Sequence, residues 1–74
     1  MEKNNEKHKG KHLYLRPSEI LERNPELKEY WTAQHIGWLL SLGFVDGYRG
    51  ARESFVLEQD VLEVFRWFRQ KQAS

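Results

Sequence analysis

Apolar residues recur at helical spacing in two long stretches of the chain, and a stretch of extended character separates them. Between positions 30 and 43, Ala33, Ile36, Leu39 and Leu40 share one face, while Gln34, His35, Trp38 and Ser41 fall on the other sides. Thr32 is suited to cap the start of such a helix with its hydroxyl, and Gly43 can take the left-handed conformation that closes its last turn. The pattern predicts a helix over about 32–42. A second helix is expected over about 58–72, where Val61, Val64, Phe65 and Phe68 recur at i, i+3, i+4 and i+7, and Leu62 and Trp67 widen that face. Glu58, Gln59 and Asp60 stand at its positive end and Arg66, Arg69 and Lys71 at its negative end.

Between the two helices, the run from Phe44 to Leu57 holds two β-favouring segments around the Gly-rich tip Gly47-Tyr48-Arg49-Gly50. That is a hairpin signal, expected over about 45–57, in which Phe55 and Leu57 alternate with Val56 so that one face can pack on the helices, while Arg49 and Arg52 project from the loop. Upstream, Leu13-Tyr14-Leu15 suits an edge strand or an extended lead-in, and Pro17 starts a helix whose first turns carry acids and whose Ile20 and Leu21 are to be buried. Asn24-Pro25 repeats the cap-then-proline signature, so the chain breaks near Asn24 and a short helical turn over 25–30 follows. Residues 1–12 have no large apolar residue after Met1 and are expected to be a flexible basic arm. The single domain is then expected over 13–70, with residues 71–74 as a frayed end.

Seventy-four residues allow one domain, and a chain this small buries only ~60% of the surface that its unfolded form exposes. Large side chains offset the shortage: aromatics make up 14% of the chain. The absence of Cys excludes disulfides and thiolate metal sites and fits a reducing, cytoplasmic setting. No apolar run approaches the length of a membrane span. The net charge is only +1, but residues 1–16 hold five Lys or Arg against two Glu, residues 17–47 two against five acids, and residues 48–74 five against four. This asymmetry lets the basic arm and the C-terminal half face a polyanion while the acidic middle points away.

Little catalytic chemistry is available. No Cys nucleophile, phosphate loop or zinc spacing occurs, and His35 is the only His inside the expected globule. His8 and His12 stand four apart, but in a stretch without helical character and without a third ligand. The expectation is therefore a chain that is not an enzyme, with no cofactor, no metal and no small-molecule substrate.

The order of elements is helix, connection, helix ending in Gly, hairpin with a basic tip, and closing helix. In this order Leu15-Arg16-Pro17-Ser18-Glu19-Ile20-Leu21 opens the first helix from an extended lead. The run from Ile36 to Val45 ends the second helix in a Gly followed by an apolar residue, and the run from Ser54 to Phe65 takes a strand into the last helix. In these stretches, over roughly 15–68, the chain resembles the excisionase-like and MerR-like winged-helix DNA-binding domains. The resemblance implies an α+β, mainly helical fold: a small winged helix-turn-helix with a two-stranded β-hairpin wing and a C-terminal helix.

It further implies a DNA-binding module of the excisionase or small transcription-regulator type, with double-stranded DNA as partner. Thr32, Gln34, His35 and Trp38 on the recognition helix and Tyr48, Arg49 and Arg52 on the wing would make the contacts, Gln34 and His35 at base edges and the two Arg at phosphates or the minor groove. Lys7, Lys9 and Lys11 of the arm would add phosphate contacts without sequence preference. The chain departs from the family in two places: its recognition helix offers no cation, and the connection from 22 to 31 is long and contains Pro25. A second expectation uses the same fold as a protein-interaction module, with Trp31, Trp38, Tyr48 and Trp67 as an exposed aromatic patch for another protein or a second copy. A third has these aromatics stacking on unpaired RNA bases.

Overall fold

A computed structural model describes residues 13–73. Strand β1 (Tyr14–Leu15) leads through Arg16 into helix α1 (Pro17–Arg23), and Asn24 separates α1 from the single turn α2 (Pro25–Lys28). Helix α3 (Ala33–Ser41) follows, then β2 (Gly47–Arg49), β3 (Ser54–Leu57) and the long helix α4 (Glu58–Ala73). The fold is α+β and mainly helical, as expected. The segment 1–12 expected as an arm lies outside the described residues. Helix α4 continues to Ala73, past the expected boundary at residue 70.

Prolines start the first two helices. Each occupies the first helical position, where a missing N–H costs nothing. The Arg16 backbone N–H donates to Glu19 Oε1 at 3.0 Å, so an acid of the first turn folds back on the helix start. Asn24 serves both sides of the break: its N–H closes α1 on Ile20 and Leu21, and its carbonyl accepts from Leu27 at 2.8 Å.

Helix α3 is bounded as its sequence demands. The Thr32 hydroxyl accepts from the His35 N–H at 3.2 Å. At the other end, the Gly43 N–H donates to the Leu40 carbonyl at 3.1 Å and the Phe44 N–H to the Leu39 carbonyl at 2.9 Å, with Gly43 at φ 86°. This is a Schellman closure, and it needs a residue that tolerates positive φ.

The expected hairpin forms from β2 and β3, and it is widened by a third strand. The sheet has three antiparallel strands in the order β1-β3-β2, with Leu15 opposite Val56 and Gly47 opposite Val56 on its other side. The lead-in was open to either role, and it pairs because β3 would otherwise present an unpaired edge. The structure selects Val56 for the inward face of β3, and Leu57 at the strand's end is buried as well. Val56 is fully buried, whereas Phe55 is half-buried on the outer face and stacks on Tyr48 at 5.2 Å. Gly47 explains the choice: a Cβ there would lie 3.0 Å from Leu40 Cδ1 and 2.3 Å from the Phe55 carbonyl oxygen. Gly47 therefore lies between Leu40 of α3 and the β3 backbone, close enough to exclude any side chain at that position.

The core joins Ile20, Leu21, Leu27, Trp31, Ile36, Leu39, Val45, Val56, Val61 and Phe65, drawn from every helix and from β3. Two aromatic expectations are corrected with it. Trp31, assigned to an exposed patch, is only 5% exposed and meets Phe65 edge-on at 5.1 Å. Trp67, expected to widen the core face of α4, is 59% exposed, as the alternative aromatic patch has it, because its position falls on the flank of the stripe set by Val61 and Phe65. At the helix junctions, Arg23 holds Glu58 with Nε to Oε2 at 3.0 Å and a second nitrogen to Oε1 at 3.3 Å, and Asn24 adds a bond to Oε2 at 3.0 Å. Desolvation pushes the Glu58 carboxyl up, but these hydrogen bonds and the Arg23 charge outweigh it and hold its pKa below the ordinary value.

Candidate nucleic-acid interface

The outward side of α3 is uncharged. Gln34, Trp38 and Ser41 are spaced by four and three residues and all exposed, so they form one stripe along the helix. Trp38 is 54% exposed, and Leu42, one residue beyond the helix, is 71% exposed.

The hairpin strand β2 ends beside this stripe. Arg49, its last residue, turns its guanidinium back to α3 and donates to the Ser41 hydroxyl, with a second, long contact of 3.5 Å to Ser54 on β3. Arg49 is thus a strut between strand and helix rather than a cation at the tip. Arg52 stands in the exposed turn between β2 and β3, without a hydrogen bond or ion pair to the other described residues. Next to it, Glu53 pairs with Arg16 at 3.3 Å, which in turn pairs with Glu19 at 3.1 Å. The hydrogen bonds from Arg16 hold the Glu19 carboxyl below its ordinary pKa.

The remaining expected contacts are dispersed. Thr32 is committed to capping α3. His35 turns the other way from Gln34 and lies on Trp31, ring centroids 4.6 Å apart and planes at 24°. Burial lowers its pKa, because the imidazolium would lose solvation against the indole. Tyr48 belongs to the outer face of the sheet, between Phe55 and Tyr14. Lys7, Lys9 and Lys11 lie outside the described residues. The structure therefore places Gln34, Trp38 and Arg49 along one side of α3, Gln34 near its start and Arg49 at its last residue, and leaves His35, Tyr48 and Thr32 elsewhere.

Three residues outside the expected set matter here. Ser41 receives Arg49. Asp46 accepts from the Tyr14 hydroxyl at 2.9 Å, which raises the tyrosine pKa, and its N–H donates to Asp60 on α4 at 2.9 Å. Phe44 is 64% exposed and closes one side of a groove between α3 and α4. Its placement follows from the residue after Gly43 in a Schellman closure, which packs toward the last helical turn. Among the described residues, no group of three His, Cys, Asp or Glu is placed to hold a metal ion, and no helix is long and apolar enough to cross a membrane.

No protein-family model matches the chain, and neither a curated protein nor a solved structure shows significant similarity to it.

Proposed function

We propose that this chain is a DNA-binding module of the small winged helix-turn-helix kind, with α3 as recognition helix and the β2–β3 hairpin as wing. The observation that carries this reading is the bond from Arg49 to Ser41, which ties the hairpin to the C-terminal end of α3 and sets helix and wing in one fixed relation. A major groove ~12 Å wide admits one helix, and a second element fixed beside that helix is then held against the flanking backbone.

Each residue of this surface has a matching chemistry. Gln34 can bond the N6 and N7 edge of adenine, and Trp38 supplies the apolar contact that suits a thymine methyl. Arg52 meets phosphate or the minor groove, where the charge contributes without reading sequence. The neutral helix reduces the non-specific term, since a helix without cations gains little from phosphates alone. Lys7, Lys9, Lys11 and Arg52 supply it instead.

The test is binding of the full chain to random and selected duplexes by fluorescence anisotropy across a salt series. Steeply salt-dependent binding to random duplex is the expected result, since displaced counterions give log K a slope of about −0.9 per neutralised phosphate. Absence of binding to either duplex at low salt would overturn the reading. A protein-interaction module would then be the better account, favoured by the exposure of Trp38, Phe44 and Trp67.

A further inference from the structure

A groove of about 590 Å³ runs between α3 and α4, with Trp31, Leu39, Val64 and Phe68 inside it and the exposed Phe44 and Trp67 along its sides. Its polar lining is Asp60, Glu63 and His35, and no Lys or Arg lines it. The volume lies within the ~300–1,000 Å³ range of clefts that take up a drug-sized group, which is room enough for an indole.

The wall formed by α4 has an ordered charge pattern. Asp60, Glu63, Trp67 and Lys71 follow one another at spacings of three, four and four residues and so occupy one stripe. The contact of Lys71 with Trp67 confirms it, the ammonium lying 5.6 Å from the ring centre. Acids stand on the N-terminal side of the indole and a cation on the C-terminal side. A purely basic ligand would meet Lys71, and a purely acidic one would meet Glu63. The matching ligand is a helix whose charges run in the opposite sense around a central aromatic residue, and α4 of a second copy, turned antiparallel, is such a helix.

We propose that this groove is half of a two-fold dimer interface, in which each copy places Trp67 into the groove of the other and Glu63 meets the partner subunit's Lys71. Such an interface is isologous: rotation about an axis near Trp67 brings each acid onto the opposite cation, so one stripe is complementary to itself. A parallel pairing would instead set acid on acid. An aromatic centre enclosed by charged residues also fits the usual anatomy of protein interfaces. The proposal does not depend on DNA binding, because neither Gln34 nor Arg52 lines the groove.

The experiment is sedimentation velocity on the full chain without DNA, from about 1 µM to about 1 mM, since one helix face falls at the low end of the ~800 Å² per partner that stable pairs bury. A reversible monomer–dimer equilibrium is expected. Trp67→Ala, Glu63→Lys and Lys71→Glu should each weaken it by roughly tenfold or more, and the double variant Glu63→Lys with Lys71→Glu should restore it to within about threefold. Restoration reads contact between copies, because residues eight apart on one helix are separated by ~12 Å along its axis. Circular dichroism melts at about 1 µM, where the monomer prevails, should stay unchanged, as Glu63, Trp67 and Lys71 are all exposed. A monomer at every concentration overturns the proposal, including one that captures a basic peptide. So does a dimer indifferent to Trp67→Ala, or a double variant that remains as weak as the singles.

Discussion

The imidazole of His35 lies on the indole of Trp31, centroids 4.6 Å apart, with Trp31 itself closed in by Phe65 and Phe68. This stack keeps the imidazole partly out of water and lowers its pKa from the ordinary 6.5. In the unfolded chain the group returns to that value, so below it the unfolded state binds more protons than the folded one.

Stability should therefore be constant with respect to His35 above about pH 7 and fall as pH drops below 6.5, levelling off once the folded-state group is also protonated. The paired carboxylates Glu19 and Glu58, whose pKa values are lowered, act in a separate window: their stabilisation is present above 4.5 and is lost at lower pH. Urea midpoints of the unmodified chain and His35→Gln between pH 5 and pH 7.5 check this. The variant should lose the slope in that range, and an unchanged slope would assign it to other groups.

Ile36 is fully buried, whereas Leu40 on the same helix is only partly so, since it lies toward Gly47 at the edge of the sheet. Ile36→Ala and Phe65→Ala should each cost roughly 2–5 kcal/mol, and Leu40→Ala less than either, because a partly buried site leaves a smaller cavity. Gln34→Ala should change stability by less than about 0.5 kcal/mol. Chemical denaturation of the four variants ranks them directly.

The two glycines around β2 differ in what they require. At Gly43 the backbone has φ 86° and open space around a Cβ, so Gly43→Ala should cost only the left-handed penalty of roughly 1–2 kcal/mol. At Gly47 a Cβ would come within 2.3 Å of a backbone oxygen of β3, so Gly47→Ala must separate the strands or push back α3. It should be the more damaging change by thermal melting, and should also loosen Arg49 from Ser41.

On duplex DNA, Arg52→Ala should lower the salt slope by about 1 and weaken all sequences alike. Ser41→Ala removes no charge. It should reduce affinity while leaving the salt slope unchanged, because it frees the strut that orients the wing. Trp38→Ala should leave stability almost unaltered and weaken selected sites more than random duplex, by ~1–3 kcal/mol. Anisotropy titrations at three salt concentrations separate the three effects.

Helix limits were legible in the sequence because their causes are local. Thr32 meets its partner three residues on, Gly43 closes the turn just before it, and Pro17 and Pro25 act at their own positions. The stripe of Val61, Val64, Phe65 and Phe68 likewise needs only the helical period. The face of β3 was not legible, since Phe55, Val56 and Leu57 are all apolar and no alternation marks an inner side. Tertiary contact decided it: the Cβ-free Gly47 fits between Leu40 of α3 and the β3 backbone at Val56. The third strand rests on Leu15 meeting Val56 across more than half of the chain, a pairing that no local pattern encodes. The candidate site divides in the same way. Exposure of Gln34 and Trp38 follows from helix periodicity, whereas the turning of Arg49 to Ser41, the burial of Trp31 and the exposure of Trp67 depend on how strand and helices pack together.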